Sequence, residues 1–355
     1  MLTIVIPTKN RSIFLSRLLK YYASVGCRYR ILIGDSSNDE EHARFLAYLT
    51  PLQSKLCVEY VRLLPDDGLL PGQGTILCTK TLLERVNTPY AAWNPDDDFL
   101  VPATLEKCVV FLEKHPDYSA AHGRAILFET GSDDVYGRIE ATSIYPQYPL
   151  EYPDSTTRLR QHLICYAPTE FSVKRTKLIR DQWQKLFEAK LNNLFGELFI
   201  SCLTSIEGKI KMFEDLYMIR QAHSGMTSVR SMTSFDFLSH NDFSRQLDLF
   251  QKVLLKKMES LNVNKEESEE AFRAGYWGYL LQSLGKQWQQ RYNPPVDIKK
   301  TYLRKLKKMF PALANIWANC HSLFPAGQME LKALLRPSSP YHKDFMSVYQ
   351  VVSKQ

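Results

Sequence analysis

The sequence has few of the features that mark disulfide-bonded, secreted or membrane-spanning proteins. Its seven cysteines form no Cys-x-x-Cys pair and no regular framework, which is typical of free thiols in a reducing compartment. No apolar run approaches the length of a membrane span, and the first residues do not combine a basic segment with an apolar stretch. We therefore expect a cytoplasmic protein.

Internal repeats and low-complexity segments are also missing, which excludes a repeat architecture. The chain has 355 residues, 45% of them hydrophobic, enough for one large domain with a smaller addition. The net charge of +7 favours anionic partners such as nucleoside diphosphates or a phospholipid surface. No nucleic-acid partner is expected.

The first part of the chain alternates between strand and helix patterns. Apolar, β-branched stretches at residues 2–7, 30–34 and 58–63 predict buried strands, and apolar residues recur at helical spacing between them. This alternation predicts an α/β fold with a mostly parallel sheet. Ligands of such sheets bind at the carboxyl ends of the strands, and polar residues follow the strands there.

The most informative stretch is residues 88–99, where a short apolar run ends in three adjacent carboxylates, Asp96, Asp97 and Asp98. Three like charges repel one another, so the loop is costly unless a cation lies among them. Mg²⁺ and Mn²⁺ prefer carboxylate oxygens, and Mg²⁺ is commonly bound by one or two carboxylates together with substrate phosphates. The stretch therefore indicates a metal that bridges protein and diphosphate. A solvated acidic turn is the alternative.

Beyond about residue 235 only helical patterns remain, so we divide the chain into 1–232 and a helical C-terminal region, 233–355. Within it, residues 299–310 combine an apolar stripe with six basic side chains. Such a basic amphipathic helix can lie on an anionic membrane. The preferred alternative is that its stripe packs on the domain and its lysines are solvated.

Four segments together resemble glycosyltransferases of the GT-A fold, family 2 type, over residues 2 to about 230. They are LTIVIPTKNR, ILIGDSSND, TPYAAWNPDDDF with the proline after it, and GELFISCLTSIEGKIKMFEDLYMIRQAHSGMTS. The resemblance implies a Rossmann-like, mostly parallel sheet flanked by helices, followed here by a C-terminal helical appendage.

The resemblance also implies a set of ligand-binding residues. Nucleotide-sugar contacts are expected at the strand ends, with Asp96 on the ribose or sugar and Lys80 a weaker diphosphate candidate that is otherwise a surface lysine. The cation, Mn²⁺ or Mg²⁺, is expected on Asp97 and Asp98, with His223 completing its shell or, alternatively, serving only as a capping residue. The expected nucleotide-sugar-binding residues are Pro7, Thr8, Arg11, Asp35, Ser36, Lys80 and Asp96.

The general base is implied by position rather than by residue type. Counting back from Gly208, the family's base position falls on Glu197, preceded here by Gly196 where the family usually has Glu-Asp. Asp215 belongs to an acidic pair that resembles the family's motif, but it lies on the following strand. We therefore take Glu197 as the base, with Asp215 as the alternative.

The implied function is metal-dependent transfer of a sugar from a UDP- or GDP-type donor to an acceptor hydroxyl, with inversion. A glycan or lipid-linked acceptor in cell-envelope polysaccharide or glycolipid synthesis is expected, with peripheral membrane contact through 299–310 as an option. A sugar-phosphate nucleotidyltransferase is a rival, although TKNRS is not its glycine- and arginine-rich phosphate loop. A catalytically silent nucleotide-binding protein is another, supported by the unusual Glu197.

Overall fold

The alternating pattern at the start of the chain forms one half of a large sheet. The computed structural model describes residues 1–63, 73–131, 134–191, 193–226, 234–292 and 325–353. Its first elements are β1 (Leu2–Thr8), α1 (Ser12–Ser24), β2 (Arg30–Asp35), α2 (Asp39–Leu49), a 3₁₀ turn (Thr50–Leu52), β3 (Val58–Arg62), α3 (Gln73–Glu84) and β4 (Tyr90–Trp93). These four strands are parallel, as the sequence predicts.

The second half of the sheet is mixed. It comprises β5 (Phe99–Leu100), α4 (Pro102–Lys114), β6 (Tyr118–Thr130), β7 (Ile139–Tyr145), α5 (Ser155–Ile164), β8 (Val173–Arg175), α6 (Thr176–Ala189), α7 (Asn193–Glu207) and β9 (Lys209–Ala222). Among the described residues nine strands form one sheet, in the order β3-β2-β1-β4-β8-β6-β9-β5, with β7 on β6. Strand β8 is antiparallel to both of its neighbours.

Residues 129–160, which look irregular in sequence, contain β7 and the start of α5. Strand β7 is mostly exposed, so its sequence does not show the apolar run that marks a buried strand. Helix α5 consists mostly of polar residues, yet Leu159 and Leu163 are buried. Its N-terminus is capped by Asp154, which accepts a hydrogen bond from the backbone N–H of Thr157 at 2.7 Å.

The described residues that follow the turn after β9 are mostly helical, as predicted. It contains α8 (Ser234–Leu238), α9 (Phe243–Glu259), α10 (Lys265–Tyr292), α11 (Pro325–Gln328), α12 (Leu331–Leu334) and α13 (His342–Ser353). The amphipathic segment 299–310 lies outside the described residues. No helix among those described combines the length and the apolar composition that a membrane span requires.

The C-terminal helices share the core of the sheet. The ring of Phe250 on α9 lies 5.0 Å from that of Phe195 on α7. A side chain at Gly275 of α10 would come within 2.9 Å of Leu163 on α5, so glycine permits this close packing. The last helix, α13, returns to the sheet, where the backbone N–H of Gly137 donates to Val352 O at 3.0 Å. Helix α7, which lines the cavity described next, therefore packs against the C-terminal helices.

Candidate functional site

The carboxyl ends of three neighbouring strands meet at one edge of the sheet. Thr8 at the end of β1 is paired with Asp35 at the end of β2, and Val5 is paired with Trp93 at the end of β4. A cavity of about 510 Å³ opens at this edge. It is lined by Arg11, Thr75, Ile76, Trp93, Pro95, Asp97, Leu127, Tyr145, Glu170, Phe171, Trp183, Leu186, Gly196, Glu197, Arg220, Ala222 and Met226.

Asp35 is held rigidly at the tip of β2. Its Oδ1 accepts from the backbone N–H of Ser37 at 2.8 Å, and its Oδ2 accepts from the hydroxyl of Tyr60 at 2.5 Å. Burial and this bond to Asp35 raise the pKa of Tyr60, so its hydroxyl stays a donor. The backbone N–H of Ser36 donates to Thr8 O at 3.1 Å and ties the two tips together. Tyr60 was not among the predicted site residues.

Arg11 bridges two of the three adjacent aspartates. Its Nη1 lies 2.9 Å from Asp96 Oδ1, and its Nη2 lies 2.7 Å from Asp97 Oδ2. The hydroxyl of Thr8 also donates to Asp96 Oδ2 at 2.7 Å. Burial raises the pKa of Asp96 to about 6, against the opposing effect of Arg11. The loop is therefore a buried ion-pair network and not a solvated turn.

Asp97 faces the cavity and remains ionised. Burial alone would raise the pKa of its carboxyl, but the hydrogen bond from His223 and the Arg11 guanidinium outweigh it and hold that pKa below its ordinary value. Beneath Asp97, the fully buried Arg17 donates to its backbone carbonyl at 3.0 Å. No sequence pattern indicated Arg17, because it occupies an ordinary position on α1.

Asp98 points to the other side of the loop. Its Oδ2 accepts from Arg220 Nε at 2.7 Å and its Oδ1 from the backbone N–H of Gln221 at 3.3 Å. Burial raises the pKa of Asp98 to about 7, and Arg220 limits the rise. Asp98 does not line the cavity. This placement differs from the prediction that Asp97 and Asp98 hold one cation together, because neighbouring side chains of the loop diverge and Arg220 neutralises the second.

His223 contacts Asp97 directly. Its Nδ1 accepts from the backbone N–H of Gly225 at 3.1 Å, which places the ring proton on Nε2. That proton is donated to Asp97 Oδ2 at 2.9 Å. The ring of Phe14 stacks on the imidazole with 4.8 Å between centroids. The predicted proximity of His223 to the acidic loop is therefore observed.

The donor set tests whether a divalent cation fits. No group of three or more His, Cys, Asp or Glu side chains able to hold a metal exists in the part of the chain that the structure describes. Asp97 and His223 converge on one point, beside which Arg11 already supplies a positive charge. The residues thus fit a cation that takes its remaining ligands from substrate phosphates, and they do not fit an all-protein metal site.

Glu197 lies near the start of α7 and lines the same cavity as Asp97. Its Oε1 accepts from the hydroxyl of Tyr166 at 2.6 Å. The Tyr166 ring in turn meets Tyr279 of α10 edge-to-face, with 5.4 Å between centroids. The alternative base, Asp215, does not line the cavity and pairs with Lys107 on the partly exposed side of β9.

Lys80 lies away from the other residues that were predicted to bind the nucleotide sugar. Its Nζ lies 2.6 Å from Glu84 Oε1, and it sits 5.5 Å above the Phe187 ring. It does not line the cavity, because its position on α3 faces α6 and not the strand ends. The surface-lysine alternative describes its surroundings better.

Part of the cavity wall is aromatic and carries a further carboxyl group. Trp93 stacks on Phe171 with 5.5 Å between centroids and lies 5.6 Å from Trp183. Glu170, just before Phe171, also faces the cavity. No predicted role was assigned to Glu170, since a single acid in an apolar stretch carries no recognisable spacing.

Comparison with solved structures identifies the architecture. The structure of residues 1–349 of S. aureus TarS in complex with UDP-GlcNAc matches 99% of this chain and 90% of that chain, at 13% identity and a TM-score of 0.53. A longer TarS structure matches 99% of this chain at 14% identity and a TM-score of 0.52, and this chain spans 54% of its length. TarS 1–349 with UDP matches with a TM-score of 0.50 at 14% identity.

Sequence comparison adds nothing to this likeness. No protein family model matches the chain, and no curated protein sequence matches it. Structural similarity at this level of sequence identity establishes the fold, and the chemistry has to be argued from the residues of the site. The order of the strands, the polar residues at their carboxyl ends and the likeness to TarS agree: the chain has the GT-A glycosyltransferase fold, with a helical C-terminal part.

Proposed function

We propose that the protein transfers a sugar from a nucleoside-diphosphate sugar to an acceptor hydroxyl. One observation carries the proposal: a single cavity at the strand ends joins Asp97 and the cation Arg11 to a separate carboxylate, Glu197. The cation suits a diphosphate, and the carboxylate suits the removal of a proton from an acceptor. TarS, whose fold this chain shares, has been solved with UDP-GlcNAc and with UDP, which supports a nucleotide-sugar donor.

The nucleoside is proposed to lie across the tips of β1 and β2. Pro7, Thr8 and Ser36 form its backbone-rich floor, and Asp35, ordered by Tyr60, offers acceptor oxygens to the base. UDP and GDP are the nucleotides that we propose. Arg11 then lies between the nucleoside and Asp97, where a guanidinium can bind phosphate oxygens in a bidentate manner.

A divalent cation, Mn²⁺ or Mg²⁺, is proposed on Asp97 and His223, with diphosphate oxygens as its other ligands. When bound, such a cation neutralises the negative charge that develops on the leaving diphosphate. The Nε2 of His223 carries the proton that it gives to Asp97, so its role as a ligand requires the other tautomer. Arg11 pairs with Asp96 and Asp97, and the proposed cation on Asp97 would release its Nη2 to contact the phosphates.

Glu197 is proposed as the general base. The hydroxyl of Tyr166 donates to one of its oxygens, which orients the carboxylate near the start of α7. A base that takes the acceptor proton during a single displacement leads to inversion at the anomeric carbon. We also propose a glycan or lipid-linked acceptor of the cell envelope and a cytoplasmic location.

Nucleotide binding gives the first test. We expect UDP or GDP with Mn²⁺ to raise the melting temperature, since a ligand at about 100 times its Kd adds roughly 2.7 kcal/mol to the free energy of unfolding. Asp97→Ala removes the carboxylate on which the cation and Arg11 converge, so we expect it to abolish the Mn²⁺-dependent part of the shift. Differential scanning fluorimetry measures both.

Asp117→Ala is the matched control. Asp117 pairs with Lys209 at 2.9 Å where β6 and β9 begin, which is the end of these strands opposite the cavity, so its loss should leave the nucleotide response unchanged. A wild-type Mn²⁺ response in Asp97→Ala would refute the cation assignment. Release of pyrophosphate from a nucleoside triphosphate and a sugar phosphate would instead support the rival nucleotidyltransferase activity.

A further inference from the structure

Glu170 is a buried carboxyl group without a partner. It is only 9% exposed, yet it makes no hydrogen bond or ion pair with any residue that the structure describes. Every other cavity carboxylate is bonded: Asp97 to Arg11 and His223, and Glu197 to Tyr166. Burying a carboxyl group unpaired is costly, so its persistence at a cavity wall indicates a ligand.

The surroundings of Glu170 favour its neutral form. Burial, and then the charge of Glu197, raise the pKa of Glu170 to about 8. Arg220 and Lys174 oppose this rise, but Arg220 is committed to Asp98 and Lys174 bonds to Gln182 and Thr204. A neutral carboxyl group can both donate and accept a hydrogen bond, which suits a hydroxyl better than a phosphate.

The aromatic wall beside Glu170 has a second unpaired group. The indole N–H of Trp183 is buried and has no acceptor among the described residues. Trp93, Phe171 and Trp183 together present an apolar surface to the cavity. Apolar and aromatic walls with a few polar groups are typical of small-molecule subsites. A sugar ring, with apolar C–H faces and hydroxyls at its edge, matches that combination.

We propose that Glu170, with the aromatic wall of Trp93, Phe171 and Trp183, forms the subsite for the transferred sugar and selects donors by hydrogen bonds to their ring hydroxyls. This inference rests on the proposed function. Glu170 lies in the same cavity as Asp97, which we assign to the diphosphate, and as Glu197, which we assign to the acceptor. The sugar of a donor must lie between those two groups.

The test separates the sugar from the nucleotide. Titration calorimetry without acceptor compares the affinity for UDP with that for UDP-glucose and UDP-GlcNAc, and the affinity for GDP with that for GDP-mannose. The nucleotide and nucleotide sugar whose affinities differ most are then used to test the variants. We expect Glu170→Ala to reduce the gain in affinity from the sugar by about 10- to 100-fold, while the affinity for the free nucleotide stays within about twofold. Glu170→Gln retains part of the gain, because an amide also donates and accepts.

A second readout does not depend on binding. The pKa of Glu170 is raised to about 8 in the folded protein, above its value in the unfolded chain. The stability that the neutral group contributes is therefore lost as the pH rises through this range to about 8. We therefore expect Glu170→Gln to raise the melting temperature of the unliganded protein at about pH 9. A purely structural Glu170 would give the opposite sign. Glu151→Gln, in a surface pair with Lys211, is the control for a general effect of the substitution.

The outcomes are distinguishable. If no nucleotide binds to the wild-type protein, the proposed function fails, whatever Glu170 does. If nucleotides bind but none of the three sugars adds affinity, or if Glu170→Ala leaves the gain unchanged, the sugar subsite is refuted while the nucleotide site stands. A matching loss of affinity for free nucleotide and for nucleotide sugar would also refute it, because Glu170 would then support the whole cavity.

Discussion

Glu197→Gln is expected to lower kcat by about 10²- to 10⁴-fold and to leave donor affinity within about twofold. The substitution keeps the shape of the side chain and an oxygen that Tyr166 can still bond, but an amide cannot accept the acceptor's proton. Initial rates at saturating donor and acceptor measure kcat, and calorimetry measures donor affinity. Loss of rate without loss of binding assigns the contribution of Glu197 to the transition state and not to donor binding.

Asp215→Asn provides the comparison, since Asp215 is the other candidate base in the sequence. Its pairing with Lys107, away from the cavity, predicts a kcat close to that of the wild type. The assignment of Glu197 would be wrong if Asp215→Asn were inactive and Glu197→Gln were active. Neither variant should alter the thermal response to Mn²⁺ and nucleotide, because neither residue contacts Asp97.

Arg220→Met is expected to lower the free energy of unfolding by about 3–5 kcal/mol, because it leaves Asp98 buried without its cation. Arg220 is held on three sides: Asp98 at 2.7 Å, the ring of Tyr145 at 4.5 Å and the ring of Phe171 at 4.6 Å. Asp98 itself is fully buried. Denaturation by urea, followed by circular dichroism, measures the loss.

The double variant Arg220→Met/Asp98→Asn is the matched control for this effect. It removes both charges at once, and replacing a buried ion pair by neutral groups of similar volume is often close to neutral. We expect most of the stability lost in the single variant to return. If the double variant is as unstable as Arg220→Met, the cost comes from lost packing against Tyr145 and Phe171 and not from the unpaired carboxylate.

The parallel half of the fold follows directly from the sequence. Strands β1, β2 and β4 are short apolar runs that end in polar residues, and parallel strands place those ends at a common edge. That is why Thr8, Asp35 and the acidic loop could be grouped before their positions were known. The mixed half was less predictable, because β7 is exposed and β8 is only three residues long.

The other differences between the predicted and the observed site come from the directions of side chains. The adjacent positions of Asp96, Asp97 and Asp98 show that they lie close together. They do not show that Asp98 turns toward Arg220, which lies on a strand 122 residues later. Lys80 is near the site in sequence but faces Phe187 on α6. Glu170 carries no motif at all, and only the folded cavity shows that it lacks a partner.

The contact between Tyr166 and Tyr279 connects the two regions of the chain at the point where transfer is proposed to occur. The described residues that line the cavity all belong to the first 232, whereas Tyr166, which orients Glu197, packs on a helix that begins after them. A change confined to that helix would therefore alter the packing of Tyr166 and leave the residues at the strand ends unchanged.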